Sequence, residues 1–313
     1  MNNYYYCIDV GGTTIKGGIV DNDNNILFSS WVKTRTFDGS ISLAENIMSL
    51  VSNLEENSSL PVSKAKGIGI GVPGIISENG VVCRSANLNL NQYPLKAELE
   101  KILTIPVKIA NDACVAGLAE NAFGEGKNFN NYLMLTLGTG IGGEIFVNNN
   151  PLRLSRSFAS EIGHMKITDK NIRCGCGEYG CFESVASTIA LERQTREAMQ
   201  KNKDSKMWEK YTPETVNGKT VFEYKDIDKT ASTVFKNYIK YLGTGVVNLI
   251  NILSPEAIII GGAVSAQKDN LTSPLKEYVY SHIYTRNERP YPEILNAKAS
   301  GNAGILGSKC LFD

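Results

Sequence analysis

Apolar and strand-forming residues come in three short runs at the start of the chain, separated by glycine and asparagine turns. The runs cover Tyr4–Val10, Ile15–Asp21 and Ile26–Lys33, and their spacing predicts three antiparallel strands joined by tight turns. The next segment, Ser42–Asn57, has a helical pattern, because its apolar residues recur three and four positions apart. The chain therefore opens with a small sheet followed by a helix.

A buried strand and a strand-to-helix junction follow. Ala65–Val72 is an apolar run that ends in a Pro-Gly turn, and Pro94–Leu103 begins with proline at a position typical of a helix start. Val107–Phe123 then passes from strand to helix, with Asn111 and Asp112 at the junction, where a helix cap is expected. The alternation of strands and helices indicates an α/β fold.

The same pattern begins again in the middle of the chain. Tyr6–Asn24 and Tyr132–Asn150 both contain a strand, a glycine-threonine turn, a second strand and an asparagine-rich hairpin, which predicts two halves built on one plan. The later elements predicted are a helix from about Ala231 to Leu253, a strand over Ala257–Ser265, a helix near Pro274–His282 and a last helix after Ser300–Gly304. Residues 201–219 are polar and aperiodic, and we predict a surface insertion there.

Composition limits the partners and the location of the protein. The chain has 313 residues, which is enough for two domains of ordinary size. Its 32 lysines and arginines balance 32 aspartates and glutamates, so no basic surface indicates nucleic acid or an anionic membrane as a partner. The sequence has neither a signal-peptide pattern nor a run of about 18 apolar residues, and we expect a soluble, cytoplasmic protein.

Two glycine-rich turns suggest phosphate binding. One turn contains Gly11, Gly12, Thr13 and Thr14, and the other lies within Leu137–Gly143. Because glycine has no side chain, backbone N–H groups in such turns can converge on a phosphate. Neither turn ends in the Lys-Ser/Thr pair of a P-loop, and each alone also fits an ordinary tight hairpin. As a pair they predict two phosphate-contacting hairpins that face each other across a cleft.

Three of the seven cysteines occur within eight positions, at Cys174, Cys176 and Cys181, and one of the two histidines, His164, lies ten residues upstream of the first. In a reducing compartment such a cluster indicates metal binding or redox chemistry rather than structural disulfides. Three thiolates and one imidazole would form a closed tetrahedral zinc site of the structural kind. A redox role would need an exposed thiolate of low pKa. Both interpretations remain open on the residues alone.

Seven motifs occur in one order along nearly the whole chain: DVGGTTIK, GIGVPG, NDA, LGTGIGG, EIGHM, CGCGEYGCFE and IIGGAVS. This combination resembles the ROK family of sugar kinases and sugar-responsive repressors, and within it the glucokinase-type branch. The family shares its fold with actin-like ATPases, so the resemblance implies two ribonuclease-H-like α/β domains around a hinge and a cleft. We place a small N-terminal domain at residues 1–112, completed by the C-terminal helix at about 301–313, and a large domain with the zinc loop at 113–300.

The resemblance implies an ATP-dependent hexose kinase that transfers the γ-phosphoryl group to the 6-hydroxyl of a sugar, with Asp112 as the catalytic base. The sugar ligands that it implies are Asn87, Asn111, Asp112, Glu161, His164 and Glu183. The nucleotide contacts that it implies are Asp9, Gly11, Gly12, Thr13, Thr14, Gly138, Thr139, Gly261 and Gly262, with Asp9 supporting Mg²⁺ through water and the last two glycines close to the adenosine. It assigns structural zinc to His164, Cys174, Cys176 and Cys181.

The resemblance leaves the sugar open. We expect glucose, and the alternatives are N-acetylmannosamine, N-acetylglucosamine and β-glucosides, which similar motifs serve in the family. Glu144 and Ala263 stand where the family commonly has glycine, and the tryptophan often found after Asn87 is missing. His282 has no motif around it and is predicted to lie on a helix surface.

A sugar-sensing ROK protein without catalysis is the less favoured alternative. Repressors of the family carry an N-terminal DNA-binding head, whereas here the first phosphate hairpin already begins at residue 9. The expected partners are therefore a hexose or N-acetylhexosamine and ATP, with no nucleic acid and no membrane. A homodimer is expected from the family.

Overall fold

The computed structural model describes residues 3–35, 41–152, 160–299 and 301–313, and the chain divides into two compact units. The first unit comprises Met1–Lys127, Asn149–Ala159 and Lys298–Asp313, and the second comprises Asn128–Asn148 and Ser160–Ala297. Both units contain a β-sheet with helices packed on it. The α/β class predicted from the sequence is confirmed.

Within the residues that the structure describes, the first unit begins with eight strands and three helices. The strands are β1 (Tyr4–Val10), β2 (Thr14–Asp21), β3 (Ile26–Lys33), β4 (Ile68–Val72), β5 (Ile75–Ile76), β6 (Val82–Ser85), β7 (Leu90–Tyr93) and β8 (Val107–Asn111). The helices are α1 (Leu43–Ser58), α2 (Leu95–Glu100) and α3 (Asp112–Phe123). Its main sheet has the order β3-β2-β1-β4-β8, in which the first three strands are antiparallel and β1, β4 and β8 are parallel.

The second unit repeats this plan. Its strands are β9 (Tyr132–Leu137), β10 (Ile141–Val147), β12 (Ala257–Gly261) and β13 (Glu293–Asn296), and the short β11 (Asn150–Pro151) lies between β10 and β12 in the chain. Its helices are α4 (Phe182–Ala186), α5 (Thr188–Lys201), α6 (Thr220–Tyr224), α7 (Lys229–Leu253) and α8 (Asp269–His282). The order β10-β9-β12-β13 matches β2-β1-β4-β8: an antiparallel hairpin is followed by parallel strands. The predicted duplication is therefore present in the strand order. The last helix, α9 (Ala303–Lys309), belongs to the first unit.

Helices cover both faces of the first sheet. The apolar stripe of α1 is buried, and Ser42 caps this helix through a capping box with Glu45. On the other face α9 packs closely, because Gly69 of β4 leaves room for the backbone of Ser308, where a Cβ would overlap the carbonyl oxygen. The first unit extends through α3 to Lys127, beyond the boundary predicted at residue 112, because α3 packs against β4 and α9.

The long helix α7 organises the second unit. Asp228 caps its N-terminus by accepting a hydrogen bond from the Ala231 N–H at 2.7 Å. One face of α7 is buried against α4, α5, α6 and α8, and the apolar core continues from there to the sheet. None of the described helices has both the length and the apolar character that a membrane span requires.

Three predictions for the later part of the chain differ from the structure. The strand predicted over Ala257–Ser265 ends at Gly261, because Gly262 turns the backbone into the left-handed region at a φ of 84°. The helix expected near Pro274 begins at Asp269 and includes this proline. Residues 201–219, predicted as a surface insertion, instead bury Met207, Tyr211 and Val216 in a separate small apolar cluster.

Candidate functional site

The first glycine turn joins β1 to β2 and is held by backbone hydrogen bonds. The Gly11 N–H donates to Thr14 O at 2.9 Å, and a Cβ at Gly11 would lie 2.8 Å from that oxygen. Thr34 fixes the outside of the turn, because its hydroxyl donates to Gly11 O at 2.7 Å and its N–H donates to Thr13 O at 2.9 Å. Gly12 and Thr13 remain exposed. The turn therefore presents backbone to solvent in a fixed shape.

Asp9 lies two residues before this turn, opposite Lys16 on β2. Its carboxylate packs against Gly304 of α9, where any side chain would overlap it. Burial raises the pKa of Asp9, and the nearby Lys16 cation opposes part of the rise. A carboxylate in this position can accept hydrogen bonds from the water shell of a bound cation.

Asn87 and the Asn111–Asp112 pair are also in the first unit. Asn87 lies beside the glycine turn, since a Cβ at Gly12 would be 3.4 Å from its carbonyl oxygen. Asn111 caps α3: its Oδ1 accepts from the N–H groups of Ala113 and Cys114 at 2.9 and 3.2 Å. Its Nδ2 donates to Gly74 O at 2.9 Å. Asp112 is the exposed first residue of α3, and its Oδ1 accepts from the Ala113 N–H at 3.0 Å.

The capping prediction at this junction is confirmed, with Asn111 as the cap. The amide oxygen and the amide nitrogen of Asn111 both make hydrogen bonds within the protein. Asn111 therefore positions the neighbouring Asp112. Asp112 lies at the positive end of the helix dipole, where a carboxylate is stabilised.

The second glycine turn, between β9 and β10, is tied to α4 and α5. The Gly138 N–H donates to Gly140 O at 3.0 Å, and the Thr188 N–H donates to Gly138 O at 2.9 Å. A Cβ at Gly138 would meet no atom within 4 Å among the described residues, so this edge of the turn is open. Gly262 approaches the same turn from β12, because a side chain there would overlap the backbone of Leu137. Gly262 and Ala263 are exposed.

Four ligand atoms come together in the second unit. The three thiol sulfurs of Cys174, Cys176 and Cys181 and a ring nitrogen of His164 lie within 4.8 Å of one another. Cys176 Sγ is 3.8 Å from Cys181 Sγ, and Cys174 Sγ is 3.7 Å from His164 Nδ1. Tetrahedral zinc with Zn–S bonds of about 2.3 Å requires neighbouring sulfurs to be about 3.8 Å apart. The donor set and its spacing therefore fit one zinc ion.

The loop that carries these ligands is shaped by two glycines and a lysine. Gly177 and Gly180 have φ values of 100° and 71°, which other residues rarely adopt. Lys166 Nζ donates to Cys181 Sγ at 3.4 Å and to Tyr179 O at 2.8 Å. All the cysteines of the chain are free thiols, so no disulfide competes for the cluster.

The three thiols differ in acidity. Burial raises the pKa of Cys174 to about 12 and also raises the pKa of Cys181. Burial opposes ionisation of Cys176 as well, but hydrogen bonds from the Glu178 N–H and the neighbouring thiols hold the pKa of Cys176 below its ordinary value. Because only thiolates are good metal ligands, a bound cation would have to bring the other two into the ionised form.

Two carboxylates lie around this cluster. His164 turns Nδ1 towards Cys174 and Nε2 towards Glu161, whose Oε2 is 3.7 Å away. Burial raises the pKa of Glu161; His164 lowers it and Glu183 adds to the rise. Glu183 accepts from the Ile141 N–H at 3.0 Å through Oε2 and from the Cys174 thiol at 3.5 Å through Oε1. Glu183 therefore links the cysteine loop to the second glycine turn.

The predicted residues are thus divided between the units. The second unit brings Glu161, His164, Glu183 and the cysteines together beside the second glycine turn, and the first unit brings Asn87 to Gly12 and holds Asp112 through Asn111. Sequence reasoning missed Thr34 and Lys166, because neither belongs to a motif and both act through contacts with distant parts of the chain. His282 is exposed at the end of α8, as predicted.

Comparison with known proteins agrees with these features. The model of the ROK family matches residues 5–313. The chain is 34% identical to a glucokinase of Halalkalibacterium halodurans, covering 98% of this chain and 94% of that protein. It is 32% identical to a glucokinase of Thermotoga maritima, covering 97% and 96%.

A solved structure is similar along the whole fold. A ROK family glucokinase from Streptomyces griseus, in complex with glucose and AMPPNP, matches with a TM-score of 0.86 and 28% identity, covering 99% of each chain. The seven ordered motifs, the repeated α/β plan and these full-length similarities lead to one conclusion: the chain belongs to the ROK family.

Proposed function

We propose that this protein is an ATP-dependent hexose kinase that transfers the γ-phosphoryl group to the 6-hydroxyl of its sugar, with glucose as the preferred substrate. The observation that carries the proposal is the full-length similarity to a glucokinase solved with glucose and AMPPNP. The glucokinases among its relatives support the same activity. Kinases for N-acetylmannosamine, N-acetylglucosamine or β-glucosides are the alternatives within the family.

The proposed sugar ligands are Glu161, His164 and Glu183 of the second unit and Asn87, Asn111 and Asp112 of the first. Carboxylates accept hydrogen bonds from sugar hydroxyls, and Glu161 and Glu183 are kept in place by His164 and by the Ile141 N–H. Asn87 supplies a further exposed amide. Asn111 is proposed to act mainly by positioning, because its amide already caps α3 and holds Gly74.

The phosphates of ATP are proposed to contact the two glycine turns through backbone N–H groups and the Thr13, Thr14 and Thr139 hydroxyls. The exposed Gly12 and the open edge at Gly138 support this assignment. Gly261 and Gly262 are proposed to let the adenosine lie close to the backbone. The side chain of Ala263, which follows them, is small enough not to block this approach. Asp9 would support Mg²⁺ through water, which suits a half-buried carboxylate beside a phosphate turn.

Phosphoryl transfer depends mainly on positioning and on stabilisation of charge, with one carboxylate to accept the hydroxyl proton. We assign that carboxylate to Asp112. It is exposed, it is the first residue of α3, and its place is fixed by the cap on the preceding residue. The proton leaves the 6-hydroxyl as its oxygen bonds to the γ-phosphorus and the bond to the ADP oxygen breaks.

Zinc is proposed to be bound by His164, Cys174, Cys176 and Cys181. Four protein ligands leave no position for water, so the ion would order the loop rather than take part in the reaction. With His164 Nδ1 on the metal, Nε2 keeps a fixed direction towards Glu161 and the sugar. We also propose a cytoplasmic location, where such thiols stay reduced, and a homodimer, which light scattering on the purified protein would test.

A coupled assay of ADP release tests the activity. Glucose, mannose, N-acetylmannosamine, N-acetylglucosamine and a β-glucoside would be compared with Mg-ATP, and the product phosphate would be located by NMR. Release of ADP with glucose at the highest kcat/KM supports the proposal, and preference for another sugar selects one of the alternative kinases. Saturable sugar binding without ADP release would point instead to a sugar-sensing protein.

A further inference from the structure

A groove of about 920 Å³ lies on the second unit, between α5, α7 and the segment before the cysteine cluster. It takes no part in the proposed activity, because none of the residues assigned to sugar, nucleotide or zinc lines it. Its walls carry amides and hydroxyls, among them Asn171, Gln194, Asn237 and Thr233. We call it the α5–α7 groove.

Positive charge dominates this groove although the chain as a whole is neutral. The cations that line it are Lys170, Arg173, Arg193, Lys201 and Lys229, and the one lining carboxylate is Glu197. Glu197 lies 3.6 Å from Arg193. Among the described residues, Arg173, Lys201 and Lys229 have no carboxylate within ion-pair distance, and all three side chains are exposed. Several cations that line one groove, with a single carboxylate among them, favour a bound anion.

Two cations of the groove are held in place by other contacts. Lys170 Nζ donates to the Tyr241 hydroxyl at 2.6 Å and lies 5.4 Å from the centre of that ring. Arg193 donates to Ser184 O at 2.9 Å. Lys170 is therefore better prepared for a ligand than a freely rotating lysine, because less side-chain entropy is lost on binding. Arg193, in contrast, would have to give up its contact with Ser184 O to reach the ligand.

The groove is connected to the proposed sugar-binding loop. Arg193 and Gln194 of α5 donate to Ser184 O and Val185 O of α4, at 2.9 Å each. The same short helix carries Glu183, which directly precedes Ser184. On the other side, Arg173 directly precedes Cys174. An anion that draws Arg193 away from Ser184 O would therefore loosen the helix that holds Glu183.

We propose that the α5–α7 groove binds a small polyanion, a metabolite with two or more phosphoryl groups, and that binding weakens sugar affinity through Arg193 and α4. The groove is large enough for a phosphorylated sugar, and its amides suit the hydroxyls of such a ligand. Its effect on sugar binding rests on the proposed function, whereas anion binding itself does not.

Calorimetric titration of the purified, zinc-containing protein with inorganic tripolyphosphate tests the binding step. The test variant is Lys201→Gln with Lys229→Gln, and the matched control is Lys236→Gln with Lys240→Gln, two exposed lysines of α7 outside the groove. We expect saturable binding that persists with saturating Mg-AMPPNP, weakens about tenfold in the test variant and stays unchanged in the control. Absence of saturable binding, displacement by AMPPNP, or equal weakening in both variants would overturn the proposal.

Fructose 1,6-bisphosphate in a parallel titration separates phosphorylated sugars from inorganic polyphosphate. Tighter binding of the bisphosphate identifies the sugar phosphate as the ligand type, and tighter binding of tripolyphosphate identifies an inorganic one. Glucose titrations with and without the anion then test the connection, and we expect an increase of about fivefold in the Kd for glucose. An unchanged Kd for glucose would overturn the proposed coupling between the groove and sugar binding. Anion binding itself is decided separately by the tripolyphosphate titration. A protein that binds the anion but no sugar would refute the proposed function and not the anion site.

Discussion

The Glu183 carboxylate accepts a hydrogen bond from the Ile141 N–H at 3.0 Å, across 42 positions of the sequence. The same carboxylate lies against Gly140, where a methyl group would overlap it. The second glycine turn and the cysteine loop are thus in direct contact through one side chain. In the proposed kinase this contact joins an element that faces phosphate to an element that faces sugar.

Gly140→Ala should displace Glu183 and therefore damage sugar binding more than nucleotide binding. Because misplacing a binding group by about 1 Å can cost two orders of magnitude in activity, we expect the KM for glucose to rise by about 10- to 100-fold. The companion variant is Gly138→Ala, whose added methyl meets no described atom within 4 Å. It should instead raise the KM for ATP. Equal effects of both variants on both substrates would contradict the assignment.

Asp112→Asn should retain sugar binding and lose turnover, because an amide keeps the shape of the side chain but cannot accept the proton. Loss of a general base typically lowers kcat by about 10²- to 10⁴-fold. Asp269→Asn is a matched control, since Asp269 is likewise an exposed aspartate at the first position of a helix. Steady-state kinetics and glucose titration of both variants make the comparison. Turnover close to wild type in Asp112→Asn would remove Asp112 from this role.

Asp9 should make the stability of the metal-free, nucleotide-free protein fall as pH rises. Burial raises the pKa of Asp9 above the ordinary 3.8, so the folded chain binds this proton more tightly than the unfolded chain does. Protonated Asp9 makes its full contribution to the free energy of unfolding below the ordinary pKa of the unfolded chain. That contribution is lost as the pH rises through the raised pKa of the folded chain. Asp9→Asn cannot ionise and should not show this loss.

Urea unfolding between pH 4 and pH 8 measures the effect. We expect the unfolding free energy of wild type, relative to Asp9→Asn, to decrease across the interval. The exposed Asp23→Asn, in the turn between β2 and β3, should follow wild type at every pH. If the unfolding free energies of wild type and Asp9→Asn changed with pH in parallel, burial would not destabilise the ionised form of Asp9.

The local features of this chain were predictable because each depends on a few neighbouring residues. The two glycine hairpins, the Asn111 cap and the cysteine cluster all follow from short motifs. The start of α8 was not predictable from the proline, because a helix can include proline when tertiary packing compensates for the missing hydrogen bond. The burial of Met207, Tyr211 and Val216 depends on partners from α5 and α6, which periodicity alone does not indicate.

The contacts around the cysteine cluster could not be predicted from the sequence, for a similar reason. Glu183 was expected to bind sugar, but its hydrogen bond to Ile141 and its contact with Gly140 need the folded loop. Lys166 meets Cys181 only because the two residues form a β-bridge. Such pairs are set by tertiary structure and leave no regular spacing in the sequence.

Cys176→Ser should release the metal and loosen the loop that carries Glu161 and Glu183. The spacing of the three sulfurs and His164 Nδ1 fits one ion, so wild type should contain about one zinc per chain. Serine keeps the size of the side chain but is a poor zinc ligand. Sugar affinity should therefore fall first, and nucleotide binding should survive better, because Gly11, Gly138 and Gly261 lie on other elements.

Metal analysis, glucose titration and AMPPNP titration of wild type and Cys176→Ser provide the measurement. The matched control is Cys83→Ser, a half-buried cysteine outside the cluster, which should keep both zinc and sugar affinity. A redox role predicts a different pattern, in which wild type holds no stoichiometric metal and loses activity reversibly as a disulfide forms. Wild type with full sugar affinity and no metal would refute zinc binding as the basis of the loop's order. Equal loss of sugar and nucleotide binding in Cys176→Ser, with unfolding of the whole chain, would instead refute the local role assigned to the ion.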